Sequence, residues 1–230
     1  MPSAQATKPR PKGKAPAPRK LPVFWLGLGG VAVLAVIVII VSVSGGGSKK
    51  KNTSVVDANG TALQQTQPVQ VTGQPLPNMP DSGTDKAVGT VIPTVAGKSF
   101  DGTPVTLAND GKGKVVIFMA HWCPHCQAEI PKVADWLSNH SLPANVEVYG
   151  VATSTNPSYP NYPPSSWLQK IGWTQPTMAD DTKGTAGTAF GLTAFPYFVV
   201  VDPSGKVVSR TSGELDISKF PGLVQQASGA

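Results

Sequence analysis

The chain's only two cysteines, Cys123 and Cys126, lie where a strand pattern gives way to a helix pattern. An apolar run at 115–120 precedes them, and the pattern over 127–139 predicts a helix. A Cys-x-x-Cys pair at such a junction is typical of reversible thiol–disulfide chemistry. The positive end of the helix favours the thiolate of the first cysteine, and the second cysteine can attack a mixed disulfide formed at the first.

The region from about residue 88 to residue 227 alternates between strand and helix patterns. The predicted elements are a hairpin at 99–107, a central strand at 114–120, the helix after the cysteines, a strand at 146–152, a short helix at 165–171, a short strand at 176–179, a helical turn at 185–190, strands at 197–202 and 206–212, and a closing helix at 217–226. This alternation predicts an α/β fold whose sheet is covered on both faces. The turn at 202–205 joins antiparallel strands, so the sheet is expected to be mixed.

The segment at 21–43 has no charged residue and is expected to form one transmembrane helix. Its centre, 31–41, is wholly apolar, and about 20 apolar residues are enough to span a bilayer. A cleaved signal peptide is the alternative, although the apolar core of such a peptide has only about 7–15 residues.

The net charge of +6 comes from the beginning of the chain. Residues 1–20 carry six of the 19 basic residues and no acidic one, so the other 13 basic residues balance the 13 acidic ones. This distribution indicates a tail beside a membrane helix, and no nucleic-acid-binding surface. We expect a single-pass protein of the cell membrane with a cytoplasmic N-terminus and an extracytoplasmic C-terminal domain.

Residues 44–85 are rich in Gly, Ser, Lys, Asn, Gln and Pro and contain few large apolar side chains. Such a composition buries too little apolar surface to offset the entropy of ordering the chain. A flexible linker is therefore expected at 44–85, and the folded domain is assigned to 86–230.

Cys123 is the expected nucleophile of the Cys-x-x-Cys pair. We expect it to be exposed at the start of the helix, where the nearby His125 stabilises its thiolate. Pro124 is expected at the first helical position, where its missing N–H costs nothing. Cys126 is the expected resolving thiol, more buried and less acidic, so that the two cysteines form a redox-active disulfide.

Metal and haem chemistry fit the same residues poorly. A zinc site needs about four ligands, and the three histidines of the chain lack the spacing of a ligand pair. A haem attachment motif requires a histidine directly after the second cysteine, and Gln127 stands there instead.

Residues 120–126, Ala-His-Trp-Cys-Pro-His-Cys, resemble the active site of the thioredoxin superfamily, and residues 193–197, Thr-Ala-Phe-Pro-Tyr, resemble its cis-proline loop. The resemblance covers about residues 88–228 and implies a thioredoxin-like fold. More narrowly, the chain is similar to the membrane-anchored, extracytoplasmic TlpA/ResA-like branch. This narrower resemblance is carried by residues 101–102, 126–131, 190–192, 201–205 and 212–213.

The resemblance implies roles for several residues around the cysteines. Pro196 matches the cis-proline position, so the peptide bond from Phe195 is expected to be cis, with backbone groups nearby free to pair with an incoming peptide. Trp122 is expected to pack beside the disulfide and face the substrate, or else to be a core tryptophan. Glu129 is expected either to relay protons near the buried thiol or to be a solvated charge on the helix.

The sequence departs from the superfamily pattern at three positions. Ile117 stands where thioredoxins have a buried acid, Tyr197 stands where threonine is common, and the bulky Phe195 is expected to narrow the substrate groove. His121 is expected to be an exposed bystander or a source of positive potential, and His140 a favourable residue at the helix end.

We expect a membrane-tethered thiol–disulfide oxidoreductase that acts on exported proteins, with no bound cofactor or metal. Because the chain has no third cysteine, electrons must pass to or from a separate membrane partner. The alternatives are a metallochaperone, a module that holds a partner through a mixed disulfide, and a thiol peroxidase. The direction of electron flow stays open, since the Pro-His dipeptide resembles that of the oxidising protein DsbA and the domain resembles reducing TlpA/ResA-like proteins.

Overall fold

The computed structural model describes residues 55–57 and 60–230. The predicted basic tail at 1–20 and the predicted transmembrane helix at 21–43 lie outside the described residues. Among the residues that are described, no helix is long and apolar enough to cross a membrane.

The described chain forms two sheets and several helices in the predicted order. The elements are β1 (Gln70–Thr72), β2 (Thr94–Lys98), β3 (Pro104–Leu107), β4 (Gly113–Met119), α1 (Pro124–Asn139), β5 (Val146–Ala152), α2 (Pro164–Lys170), β6 (Thr177–Ala179), α3 (Thr185–Ala189), β7 (Tyr197–Val201), β8 (Val207–Ser212) and α4 (Phe220–Ala227), with a 3₁₀ turn at Ile217–Lys219 before α4. The elements predicted from the central strand onward are present, and the closing helix begins as this 3₁₀ turn. The predicted hairpin at 99–107 begins earlier than expected, because its first strand is β2 and residues 99–103 form the turn.

The larger sheet has the strand order β6-β5-β4-β7-β8. Strand β4 pairs in parallel with β5, and β5 with β6, whereas β7 is antiparallel to both β4 and β8. The predicted mixed sheet is therefore confirmed. All seven residues of β4 are buried, as expected of a central strand covered on both faces.

The side chains of β4 alternate between two cores, one on each face of the sheet. Val115, Ile117 and Met119 belong to a core that also contains both cysteines and residues of α1, α2 and α4. Val116 and Phe118 belong to a second core, formed with α3, β2 and β3. The cysteines thus join the first core at the end of β4.

The smaller sheet, β1-β2-β3, is antiparallel and includes residues of the predicted linker. Gln70–Thr72 pairs with β2, the Gln64 N–H donates to Phe100 O at 2.8 Å, and the Gln67 N–H donates to Ala179 O at 3.2 Å. A flexible linker over all of 44–85 is therefore wrong for its described C-terminal part. Backbone hydrogen bonds order this polar segment, and amino-acid composition does not show which backbone groups form them.

A buried arginine on β8 holds the segment before residue 86 against the larger sheet through an ion pair and hydrogen bonds. The Arg210 side chain is fully buried and forms an ion pair with Asp85, with Nε donating to Oδ2 at 2.7 Å. Its Nη1 donates to the carbonyl oxygens of Pro77 and Phe190, at 2.8 and 3.1 Å, and to the Tyr197 hydroxyl at 3.0 Å. A domain that starts at residue 86 leaves out Asp85 and Pro77, so the predicted boundary lies too far along the chain.

The first residue of β4 touches the last helix. A Cβ atom added to Gly113 would lie 1.7 Å from the carbonyl oxygen of Ala227, the last residue of α4. Any side chain at this position would collide with backbone, so glycine lets the helix end close on the central strand.

Candidate functional site

The cysteine pair lies where β4 ends and α1 begins. Cys123 is the N-cap residue of α1, with extended backbone angles of φ −72° and ψ 123°, and Pro124 follows at the start of the helix as predicted. The Cys123 N–H donates to Ala120 O, and Cys123 O accepts from the Gln127 N–H, both at 3.0 Å. This geometry places the first sulfur at the positive end of α1 and the second within the first turn.

Both thiols are free, but they differ in exposure. Cys126 is fully buried, and Cys123 keeps 6% of its surface accessible. The expectation of an exposed Cys123 is corrected, because this residue is part of the core and only its edge reaches the surface. Burial raises the pKa of the Cys126 thiol well above its usual range, a hydrogen bond from Ala120 opposes this shift, and the neighbouring Cys123 adds to it.

The loop before β7 approaches the cysteine turn. The Phe195–Pro196 peptide bond is cis, as predicted. The Phe195 ring lies 6.1 Å from the Trp122 ring, nearly perpendicular to it, and both side chains pack against the core that holds the cysteines. The cis-proline loop therefore borders the residue that directly precedes Cys123.

Glu129 is buried on the same face of α1 as Cys126, one turn further on. Neither of its carboxylate oxygens makes a well-formed hydrogen bond among the described residues, although the backbone of Leu215 lies close enough to lower the pKa of this carboxyl by a small amount. Burial raises the pKa of this carboxyl, the charge of Lys132 lowers it by less, and the charges of Glu214 and Asp216 raise it. Of the two expectations for Glu129, the solvated helix charge is wrong.

His125, between the cysteines, is exposed and has an acidic partner. Its Nδ1 lies 2.7 Å from Oε1 of Glu214, in the loop after β8. Sequence reasoning missed Glu214, which is 89 residues further along the chain. The sequence offers one indication of this contact: β8 ends at the edge of the sheet where β7 begins and β4 ends, so the loop after β8 lies near the cysteine turn.

His121 is buried, so the expectation of an exposed bystander is wrong. Its Nδ1 lies 2.7 Å from Pro160 O, and its Nε2 accepts from the Asn156 N–H at 3.3 Å. These contacts assign the proton to Nδ1 of a neutral ring. Burial lowers the pKa of His121, and the hydrogen bond to Pro160 opposes this shift by less.

Trp122 is half-buried and does not lie wholly within the core. Its indole N–H donates to Ser154 O at 2.8 Å, and its ring lies 5.4 Å from that of Tyr159. Both contacts come from the loop at 154–163, for which the sequence predicts no helix or strand.

A protein-family model, described as the AhpC/TSA family, matches residues 88–210. The chain belongs to the AhpC/TSA family. The match covers more than half of the chain, including the cysteine pair, the cis-proline loop and most of the larger sheet.

Curated relatives and solved structures agree with this assignment. A thiol:disulfide interchange protein DsbE homolog of Paracoccus denitrificans is 30% identical over 140 residues, 59% of this chain and 72% of the relative. The thiol:disulfide interchange protein HelX of Rhodobacter capsulatus is 27% identical over 106 residues, 46% of this chain and 55% of the relative.

A thiol:disulfide interchange protein of the thioredoxin family from Chlorobium tepidum superposes with a TM-score of 0.51 and 28% identity, covering 62% of this chain and 98% of that structure. A DsbF homologue from Corynebacterium diphtheriae shares the fold, with a TM-score of 0.54, 17% identity, and coverage of 67% of this chain and 99% of that structure. The predicted thioredoxin-like fold is thereby confirmed.

Proposed function

We propose that this domain is a thiol–disulfide oxidoreductase that exchanges disulfides with other proteins through Cys123 and Cys126. The observation that carries the proposal is the position of both sulfurs at the start of α1, directly after Trp122, whose ring contacts Phe195 of the cis peptide bond. The relatives named as thiol:disulfide interchange proteins support the same reaction.

Reduction of a substrate begins at Cys123, whose partly accessible sulfur attacks one sulfur of the substrate disulfide. The substrate S–S bond breaks, a mixed disulfide forms at Cys123, and the departing thiolate takes up a proton. Cys126 then loses its proton and attacks the Cys123 sulfur, so the intramolecular disulfide forms and the second substrate thiol leaves. Two electrons have passed to the substrate, and oxidation of a dithiol follows the same steps in reverse.

The second step requires a proton acceptor, because burial holds Cys126 in its thiol form. Glu129 is the proposed acceptor, because it is buried one turn along the same helix face and its oxygens make no well-formed hydrogen bond within the described chain. A carboxyl whose pKa is raised accepts a proton more readily near neutral pH than an ordinary one.

The cis-proline loop is the proposed place for an incoming backbone. Pro196 has no N–H, and its carbonyl oxygen already accepts a hydrogen bond from the Gly213 N–H at 2.9 Å. Pairing with a substrate strand therefore falls to residues 193–195, of which Thr193 and Ala194 are exposed.

Serine substitutions test the two cysteine roles separately. Cys123→Ser is expected to abolish reduction of a peptide disulfide, whereas Cys126→Ser is expected to accumulate a mixed disulfide that a non-reducing gel resolves. Ala128→Ser, on the exposed side of α1, is the matched control and is expected to behave as wild type. Undiminished exchange by the Cys123→Ser protein would refute the proposal.

The same preparation separates the alternatives. A metallochaperone binds metal stoichiometrically in its reduced form and turns over no disulfide. A module that holds a partner stops at the mixed disulfide even with Cys126 intact. A thiol peroxidase consumes hydrogen peroxide.

The reduction potential of the cysteine pair decides the direction of electron flow. A value near about −120 mV, as in DsbA, indicates a protein that donates its disulfide to substrates, whereas a value near about −270 mV or below, as in thioredoxin, indicates a reductase.

We also propose that the domain is extracytoplasmic and tethered by the apolar segment at 21–43, that its substrates are exported proteins, and that a separate membrane protein exchanges electrons with it. The charge-free segment and the basic tail before it support this arrangement. Carbonate extraction of membranes tests the tether, and labelling of the thiols in intact cells by a membrane-impermeant reagent tests the location. Release by carbonate, or protection from the reagent, would contradict it.

A further inference from the structure

The loop at 154–163 is fastened to the two residues that precede Cys123. Four hydrogen bonds join it to His121 and Trp122: Trp122 Nε1 to Ser154 O at 2.8 Å, His121 Nδ1 to Pro160 O at 2.7 Å, the Asn156 N–H to His121 Nε2 at 3.3 Å, and Asn161 Nδ2 to His121 O at 3.2 Å. The loop therefore has a fixed position beside the cysteine pair before any partner binds.

This loop presents two tyrosines at the surface. Tyr159 is 50% exposed and Tyr162 is 43% exposed. Single exposed aromatic side chains are common on protein surfaces, whereas a group of them beside one site often marks a binding surface. The Tyr159 ring lies 5.4 Å from Trp122, and the Tyr162 ring lies 5.9 Å from His121. With Phe195, 6.1 Å from Trp122 on the cis-proline loop, they form an aromatic rim, defined here as Trp122, Tyr159, Tyr162 and Phe195.

The two loops that carry Tyr159, Tyr162 and Phe195 contain no charged side chain. Residues 153–164 contain no acidic or basic side chain, and neither do residues 193–197. A charged group placed on this surface would lose water without gaining an ionic partner from either loop, whereas an apolar group would lose only unfavourable contact with water.

The exchange reaction itself brings a substrate against the aromatic rim. During exchange it is covalently attached to the sulfur of Cys123, so the residues that flank its own cysteine must lie against the neighbours of Cys123. Trp122 is one of those neighbours, and it contacts both Tyr159 and Phe195. Aromatic side chains held in place in advance bind with little loss of conformational entropy.

We propose that the aromatic rim binds an apolar or aromatic side chain next to the exchanged cysteine of an extended polypeptide. The rim thereby selects uncharged segments of unfolded polypeptides over cysteines with charged neighbours. This inference rests on the proposed disulfide exchange and specifies its substrate class.

Two matched peptide substrates test the inference with the full-length protein. Each is a disulfide-linked peptide dimer of the same length; in one the cysteine is flanked by Phe and Leu, and in the other by Glu and Ser. The second-order rate constant for their reduction by the reduced protein is measured in single turnover. The wild type is expected to favour the Phe/Leu peptide by at least about tenfold, a typical effect of an aromatic anchor.

The double variant Tyr159→Ser/Tyr162→Ser is expected to lose most of this preference, bringing the ratio of the two rate constants to within about threefold of unity. Tyr159→Phe/Tyr162→Phe retains the rings and is expected to keep the preference. Val88→Ser, which removes a side chain that is 51% exposed outside the rim, is expected to match the wild type.

An unchanged ratio in the double serine variant would overturn the inference, and so would an equal fall in both rate constants. Failure of the proposed function looks different, because the wild type would then reduce neither peptide.

Discussion

His125 and Glu214 form a hydrogen-bonding contact that the Cys-Pro-His-Cys motif does not reveal. Both side chains are largely exposed, at 64% and 46%, and their 2.7 Å contact bridges the cysteine turn and the loop after β8. The carboxylate partly cancels the positive charge that a protonated imidazole would offer to a thiolate. The motif alone therefore overstates how far His125 favours the reduced protein.

Replacing Glu214 by Gln removes this negative charge and is expected to raise the reduction potential. Negative charge that develops on the Cys123 sulfur is found in the reduced form, and removal of the nearby carboxylate stabilises it. Exposed charge interactions are worth about 0.2–1 kcal/mol, and about 1.4 kcal/mol corresponds to 30 mV, so the expected rise is about 5–20 mV in glutathione equilibration.

Glu147→Gln is the matched control, since Glu147 lies at the start of β5, at the opposite end of the sheet from the cysteines. A rise of the same size in that variant, or a fall in Glu214→Gln, would contradict the local electrostatic explanation.

Glu129 is expected to make the free energy of unfolding depend on pH. Its pKa in the folded protein is raised above the ordinary value of 4.5, with burial as the largest cause. As the pH rises above 4.5, the unfolded chain releases this proton while the folded chain retains it, so the free energy of unfolding falls until the raised pKa is passed.

Glu129→Gln is expected to remove this part of the pH dependence, making the variant relatively more stable at pH 8 than at pH 4.5 when each is compared with wild type. Urea denaturation at both pH values measures the difference. Parallel pH profiles for the two proteins would show that Glu129 ionises as freely in the folded state as in the unfolded one.

The cysteine motif and the resemblance predicted the residues that chemistry and backbone geometry fix locally: the helix start at Pro124, the greater burial of Cys126 and the cis bond before Pro196. They did not predict the neutral state of His121 or the partner of His125. Those properties depend on residues 35 to 89 positions away, and no local pattern specifies such contacts.

At the scale of elements, the sequence pattern predicted the strands and helices from β3 onward, because each of them buries one face or both, but it placed the hairpin too late to include β2 at Thr94–Lys98. The loop at 154–163 has no such periodicity. Its order comes from polar contacts with His121 and Trp122, so its composition resembled that of an ordinary connection. Strand β1 was missed for a similar reason, since its three residues are held by pairing with β2.

The attachment of this loop through His121 is expected to weaken in acid. The pKa of His121 is lowered below the ordinary 6.5, chiefly by burial. As the pH decreases below about 6.5, the histidine is protonated in the unfolded chain but not yet in the folded chain. The free energy of unfolding therefore decreases until the pH reaches the lowered pKa of the folded state. Protonation also removes the Nε2 acceptor of the Asn156 N–H.

Hydrogen exchange measures this prediction directly. The Asn156 amide is expected to lose protection between neutral pH and pH 5, after correction for intrinsic exchange, whereas amides in β4 keep theirs. In His121→Asn, the pH-dependent part of this loss is expected to vanish. Unchanged protection of Asn156 at pH 5 would contradict the prediction.

At the scale of the whole molecule, the domain begins earlier than its composition suggests. Leu76 is buried, with its N–H donating to Ala189 O at 2.9 Å, and Asp85 neutralises the buried Arg210. The segment before residue 86 thus contributes a strand, core contacts and a counter-charge to the rest of the fold.

A fragment covering 86–230 is therefore expected to be much less stable than one covering 60–230. Removing one partner of a buried ion pair costs about 3–5 kcal/mol, and the loss of β1 and Leu76 adds to this. Asp85→Asn in the longer fragment isolates the ion pair and is expected to account for about 3 kcal/mol in urea denaturation. Equal stability of the two fragments would show that the segment is dispensable.

The contact between Gly113 and the end of α4 constrains how this architecture can diverge. With the Ala227 carbonyl oxygen 1.7 Å from the place of a Cβ, no rotamer or local adjustment makes room for even a methyl group. A related protein with alanine or a larger residue at this position must have shifted its final helix, shortened it or lost it. The residue type at the start of the central strand thus indicates how closely the final helix packs against that strand.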